Sequence, residues 1–271
     1  MKTSSIILTI HNKENILYHN VLPALMQNTN WTNTDIVFVL DGCTDMSETI
    51  VRKFCERYNT NIKSKILITP DVYETMANNA GIKQSDADYV IILQDDIVVN
   101  EKDWNLRILK PFQQWDDVFA VSGNCAHNWS HNPETKGVNA DGWSDLLIHH
   151  DHANKNNTER DVFAIRDSCN RGPLAINRKE LLELGYFDQE AIIKQDMDDH
   201  DLMFRMKKAI GKKVGYYHIE CISDNLWGGT RDASGKTKQW LLDCQIKNTQ
   251  LVYERHKDVL HTHTIENRVL C

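Results

Sequence analysis

The 271-residue chain has no apolar stretch long enough to cross a bilayer: runs such as Tyr89-Val-Ile-Ile-Leu93 fall far short of the roughly 18 residues a spanning helix needs. It also lacks any block of like charge. With 31 Lys plus Arg against 38 Asp plus Glu there is no basic excess, which excludes the electrostatic footprint of nucleic acid or of an anionic membrane surface. Cysteine is sparse and unpaired in pattern. The seven thiols at 43, 55, 125, 169, 221, 244 and 271 form no CxxC pair and no zinc spacing, so they read as reduced. No internal repeat or low-complexity linker divides the chain, and one continuous domain is expected. The segment Met1 to Ile10 reaches polar His11-Asn-Lys-Glu14 before a signal-peptide core can form, and reads as the first strand of a cytoplasmic protein.

What is present is an alternation of short β-branched runs with longer helical periods. Ser5–Ile10, Asp35–Leu40, Lys65–Thr69 and Tyr89–Leu93 read as strands. Between them Ile16–Gln27 and Ser47–Tyr58 carry apolar residues at helical spacing. Such βαβ units imply an α/β fold with a mostly parallel sheet covered by helices. From Asn124 to Arg171 the pattern lapses into a polar stretch rich in His, Asn and Asp, read as a long loop. Regularity returns with a strand at Pro173–Asn177, a helix from Arg178 to Leu184 stopped by Gly185, a helix near Asp199–Ala209, a strand near Lys213–Tyr217 and a helix at Gln239–Arg255.

Ligands of open α/β sheets sit beyond the carboxyl ends of the strands, so the residues just after each strand carry the chemistry. Three such ends stand out: Thr9-Ile-His-Asn-Lys-Glu14, Val39-Leu-Asp-Gly-Cys-Thr-Asp45 and Asp95-Asp96. Adjacent carboxylates at a strand end point to opposite faces and can do different work, and a hard divalent ion is commonly held by one or two of them. Taken singly, an Asp-Asp pair is a solvated turn, and Asp45 is a helix cap. A fourth segment, Gln195-Asp-Met-Asp-Asp-His-Asp-Leu-Met-Phe-Arg205, puts more acids at a helix start than capping or the helix dipole requires. A carboxylate there can accept a proton from a hydroxyl, which makes Asp198 or Asp199 a candidate general base.

Together these segments resemble an inverting, nucleotide-sugar-dependent glycosyltransferase of the GT-A fold, family 2, over about Thr3 to His218. Ser5-Ile-Ile-Leu-Thr-Ile-His-Asn-Lys-Glu14 is similar to the family's first strand and base-binding turn, with His11 where Tyr is common. Leu40-Asp-Gly-Cys-Thr-Asp45 resembles its Asp-Asp-Gly-Ser-Thr-Asp turn, and Asn78-Asn-Ala-Gly81 its Arg-Asn-x-Gly helix segment. Gln94-Asp-Asp96 falls at the DxD position. Cys169 to Arg178 with Leu184 to Asp188 resembles the acceptor-side strand and helix, and Asp198 to Arg205 the Glu-Asp-x-Asp-Leu-x-x-Arg signature.

The resemblance implies transfer of a sugar from a nucleotide diphosphate, UDP by preference, to a glycan or other hydroxyl acceptor, with Mn²⁺ or Mg²⁺ as cofactor. Asp199 would be the catalytic base. Thr9, His11, Glu14, Asp41, Asn79, Asp95 and Arg231 would bind the donor, Asp96 and His218 the metal, and Trp143 and Asp198 would face the acceptor. Residues 1–123 would form the donor part, 124–222 the acceptor and catalytic part, and 223–271 a lid and helix, with Gly228 and Gly229 as hinge. Polysaccharide or glycoconjugate synthesis, with peripheral membrane association through a lipid-linked acceptor, fits the resemblance. Two other readings stand beside it: a sugar-nucleotide pyrophosphorylase, against which Ile10–Asn15 has no glycine, and an inactive nucleotide- or glycan-binding module, against which the acids at 41, 95, 96 and 199 speak. Trp129 and the cluster His149, His150 and His152 carry no assignment.

Overall fold

Alternating apolar residues sort the first strands onto two cores. In the computed structural model, which describes residues 2–130, 142–148, 159–192, 197–223, 238–260 and 264–270, strand β1 (Ser4–Ile10) sends Ile6, Leu8 and Ile10 to one core and Ile7 to the other. After α1 (Glu14–Ile16), a π turn (Leu17–Val21) and α2 (Leu22–Asn28), β2 (Thr34–Asp41) does the same, with Ile36, Phe38 and Leu40 opposed to Val37 and Val39. Then come α3 (Ser47–Tyr58), β3 (Lys63–Thr69), α4 (Glu74–Lys83) and β4 (Tyr89–Gln94), whose Tyr89, Ile91 and Leu93 face away from Val90 and Ile92. Period-two side-chain direction makes each strand serve both layers. Fully burying one such aliphatic side chain stabilises by roughly 1.5–3 kcal/mol, so these strands supply much of the driving force.

The chain continues through β5 (Ile97–Val99), α5 (Trp104–Arg107), α6 (Lys110–Gln114), β6 (Val118–Ser122), β7 (Cys125–Ser130) and β8 (Gly142–Ile148). Next are β9 (Val162–Arg166), β10 (Ser168–Asn170), β11 (Leu174–Asn177), α7 (Arg178–Glu183) and α8 (Asp198–Ala209). It ends with β12 (Lys213–Tyr216), β13 (Cys221–Ser223), α9 (Lys238–His256) and β14 (Glu266–Val269). The main sheet has the order β14-β9-β12-β6-β11-β4-β1-β2-β3. Strands β1 to β4, β6, β12 and β14 run one way, and β9 and β11 run against them. The chain moves outward from β1 to β2 and β3, then returns to β4 on the other side of β1. That reversal opens a crevice between the carboxyl ends of β1 and β4.

Two expectations need correction. The first helix is not continuous: Pro23 lies at the start of α2, and the preceding turn is π-wound. Proline has no N–H and crowds the carbonyl four residues earlier, and a wider turn just before it accommodates both effects. The stretch Asn124–Arg171 is not a plain loop either. It holds β7, β8, β9 and β10; β9 enters the main sheet, and β10-β7-β8 make a small sheet of their own. The run Val162-Phe-Ala-Ile-Arg166 is buried throughout, but polar flanks on both sides concealed it. Among the described residues no helix is long and apolar enough to cross a membrane.

Helix α4 lies on β1 and β2 through Gly81, where a Cβ would come within 2.6 Å of Ile7 Cγ2 and 2.8 Å of Val39 Cγ2. Both neighbours are fully buried. Gly81→Ala therefore overpacks the core, and we expect a loss of about 1–3 kcal/mol in urea unfolding despite alanine's better helix propensity. An unchanged midpoint would show that α4 can lift off the sheet.

Candidate functional site

The crevice between β1 and β4 is bridged by a backbone contact: His11 N–H donates to Asp95 Oδ2 at 2.9 Å. The His11 ring turns the other way, toward β2, with Nδ1 2.6 Å from the Asp41 carbonyl oxygen. A carbonyl only accepts, so Nδ1 carries the proton. The buried Asp41 carboxylate accepts from Thr69 Oγ1 at 2.8 Å and from the backbone N–H groups of Val72 at 2.7 Å and Tyr73 at 2.9 Å. It thereby fixes the turn after β3. Ligand atoms of His11, Asp41 and Asp71 lie within 4.8 Å of one another, but a protonated Nδ1 and a carboxylate with three donors make this a hydrogen-bonded strand-end cluster rather than a metal site.

Asp95 and Asp96 are both buried at the end of β4. Burial first, and then the neighbouring Asp96 charge, push the Asp95 carboxyl up to about 8, against the His11 N–H and Lys13. Two desolvated carboxylates side by side repel, and one keeps its proton unless a cation arrives. The donor set is hard oxygen, which suits Mg²⁺ or Mn²⁺.

A second buried cluster stands beside it. Arg171 Nη1 donates to Asp198 Oδ2 at 2.6 Å, Thr75 Oγ1 donates to the same oxygen at 2.8 Å, and Arg171 Nε lies 3.1 Å from Glu74 Oε1 without hydrogen-bond alignment. Gln94 Nε2, on the last residue of β4, donates to Glu74 Oε1 at 3.0 Å. Burial raises the Glu74 carboxyl in spite of Arg171, and Asp198 and Asp199 add to the rise. Burial works against the Arg171 charge, yet Asp198 and Glu74 hold it protonated. Asp199, next in the chain, has a different partner: its Oδ1 accepts from His200 N–H at 2.9 Å and lies 2.8 Å from His200 Nδ1. Burial would raise its proton affinity, but His200 and Arg171 outweigh burial and keep it below the usual carboxylate range.

The remaining sequence candidates fall in several places. Thr9 Oγ1 donates to Asn78 Oδ1 at 2.7 Å, which leaves the buried Asn78 Nδ2 without a partner at the β1 end. Asn79, expected to bind the donor, donates to Phe187 O and Gln189 Oε1 and accepts from Phe187 N–H, so it pins the turn after α7. Glu14 Oε2 accepts from Met46 N–H and Asp45 Oδ2 from Glu14 N–H, a reciprocal clasp that sets the start of α3. Asp45 Oδ1 also accepts from Ser47 N–H, as a cap does. His218, expected to hold the metal, has partners close in sequence. Its Nε2 is 2.8 Å from Glu220 Oε1 and its Nδ1 3.1 Å from the Tyr216 hydroxyl. The β13–β5 register sets Ser223 opposite Ile97, and Glu220 O accepts from Asn100 N–H, so His218 precedes the paired stretch. Arg231, Gly228, Gly229, His149, His150 and His152 lie outside the described residues, as does the Trp143 side chain.

Residues 5–185 match the family described as Glycosyl transferase family 2. The chain belongs to that family. No curated protein matches it. Among solved structures, GalNAc-T7 with UDP, GalNAc and Mn²⁺ superposes with a TM-score of 0.66 at 15% identity, covering 96% of this chain and 50% of that one. The mannosyltransferase PcManGT from Pyrobaculum calidifontis, in complex with GDP-Man and Mn²⁺, gives 0.60 at 14% identity over 96% and 72%. S. aureus TarS 1-349 in complex with UDP-GlcNAc gives 0.59 at 13% over 95% and 70%. The chain thus spans half the length of GalNAc-T7. These likenesses establish the GT-A fold for this family 2 chain.

Sequence reasoning missed Glu74, Arg171, His127 and His200. Arg171 stood inside a quoted segment, but nothing in one sequence pairs it with acids 27 and 97 positions away. The Asp95 shift generates a test. A carboxyl with a folded-state value near 8 against an ordinary 3.8 contributes fully to stability below about pH 4, and that contribution is lost as pH rises through 8. Asp95→Asn, which retains the acceptor for His11 N–H, should raise the melting temperature at pH 8 and change it little at pH 4. Equal loss at both values would place Asp95 in a merely structural role.

Proposed function

We propose that this chain transfers a sugar from a nucleotide diphosphate donor, UDP by preference, to a hydroxyl acceptor on a glycan or glycoconjugate, with inversion at the anomeric carbon. The observation that carries the reading is the convergence of Asp95-Asp96 and Asp198-Asp199 on the carboxyl end of one sheet, at the β1/β4 crevice, with one buried guanidinium among them. The neighbours with UDP, UDP-GlcNAc or GDP-Man, two of them also with Mn²⁺, support it.

Asp96 would hold a divalent ion, with phosphate oxygens of the donor filling other positions. When bound, such an ion neutralises charge growing on the leaving diphosphate. The residues of the chain do the rest. The His11 ring and the buried Asp41, joined at the strand ends, would form the floor for a base, and Asp95 would stand on the ribose side. Asp199, held ionised, would accept the acceptor proton as the new glycosidic bond forms and the bond to the diphosphate breaks. Residues 1–123 would then supply the donor half, 124–222 the base and acceptor surface, and 223–271 the cover.

Thermal-shift titration with UDP-, GDP-, CMP- and dTDP-sugars, each with and without Mn²⁺, tests this. One nucleotide class should stabilise the protein in a metal-dependent way, and Asp96→Ala should abolish the effect. Asp199→Asn should keep donor binding and lose turnover by roughly 10²–10⁴-fold, the usual contribution of a general base. No shift with any nucleotide would overturn the transferase reading. Binding without turnover in the wild type would favour a nucleotide-sugar-binding module.

A further inference from the structure

Behind Asp199 runs a chain of buried side chains that the transfer reaction as stated does not use. His200 Nε2 lies 2.8 Å from His127 Nε2, and His127 Nδ1 lies 3.7 Å from Cys125 Sγ. His127 and Cys125 are fully buried and His200 nearly so. The strand β7 carries Cys125 and His127, and β10, paired with β7 at Ser168↔His127, packs against α8 and brings the strand to His200.

Proton counting fixes the direction of this chain. An ionised carboxylate has no proton to give, so His200 Nδ1 must donate to Asp199 Oδ1. Two nitrogens 2.8 Å apart share one proton and cannot both carry one. When the pair is neutral, His127 Nε2–H donates to His200 Nε2, and the bare His127 Nδ1 accepts a hydrogen bond from the Cys125 S–H. If the pair gains a proton, His200 is doubly protonated and still donates from Nδ1. In both states Asp199 Oδ1 is occupied. Burial and the adjacent His200 hold His127 neutral, and burial raises the Cys125 thiol, so neither end competes for the Asp199 proton. Among the described residues nothing bonds Asp199 Oδ2.

We propose that His200, braced by His127 and Cys125, is the positioning residue of the catalytic base: it occupies Oδ1 of Asp199 and reserves Oδ2 for the acceptor hydroxyl. The inference rests on Asp199 as the base. Nothing in the chain is consumed. The proton taken at Oδ2 leaves to solvent with the product, and His200 keeps its own. A serine-hydrolase triad uses the same logic in reverse, with an acid orienting an imidazole.

The test has two arms. In ¹⁵N-histidine NMR of the full chain, His200 should show the Nδ1–H form and His127 the Nε2–H form, and Asp199→Ala should remove the His200 preference. In the second arm, His200→Asn retains a donor near the Nδ1 position and His200→Leu does not. Turnover of the donor that gives the thermal shift should fall at least about tenfold in His200→Leu at unchanged donor KM, and recover in part in His200→Asn. His200 in the Nε2–H form, or full turnover in a folded His200→Leu, would overturn the proposal. Correct tautomers with normal turnover in Asp199→Asn would instead refute the base assignment, which keeps the two failures apart. Circular dichroism and melting of each variant separate misfolding from mispositioning.

Discussion

Negative charge at the carboxyl end of the sheet is the constraint to which the rest of this structure answers. Asp95 and Asp96 leave β4 together, Glu74 opens α4 beneath them, and Asp198 and Asp199 open α8 beside them. Burial and neighbouring charge raise two of them: burial, Asp96 and Glu74 raise Asp95, and burial, Asp198 and Asp199 raise Glu74. Arg171 is the cation that makes the inner half tolerable, buried between Glu74 and Asp198. Breaking such a buried pair from one side leaves an uncompensated charge, at a cost of about 3–5 kcal/mol, so Arg171 is structural before it is anything else. In the outer half, burial and the Asp96 charge raise Asp95 despite the His11 N–H and Lys13.

The topology explains why these acids meet. Ligand crevices of open α/β sheets form where the strand order reverses, and here β1 is the pivot between β2 and β4. The His11 N–H to Asp95 bond crosses that pivot, and the hydrogen bonds of Asp41 bring the turn after β3 to the same edge. Remote pieces then pack from behind. The small sheet β10-β7-β8 carries His127 to α8, and Asn79 ties α4 to the turn after α7.

What could be read from the sequence follows from period and local order. Strands β1 to β4 alternate or run apolar, so their positions were legible almost to the residue, and the acids just past β2 and β4 stood out because strand ends are short. The start of α8 was legible for the same reason. Long-range partners were not. Arg171 and Glu74 are separated by 97 positions, and β7 and β9 are short strands inside polar sequence, so His127 read as part of a loop. Asn79 and His218 have partners that the sequence did not indicate. Resemblance implied ligand roles for them, and in the fold Asn79 donates to Phe187 O while His218 Nε2 lies beside Glu220 Oε1.

The central claim is that Asp95-Asp96 is a cation site waiting on charge, and calorimetric titration of the full chain with Mn²⁺ at pH 7 tests it most directly. Because Asp95 is held near 8 by burial and the Asp96 charge, an ion neutralising Asp96 should lower its proton affinity, and titrations in buffers of different ionisation enthalpy should report up to about one proton released per ion. Binding without proton release, or no binding at millimolar Mn²⁺ with or without a nucleotide diphosphate, would contradict the account.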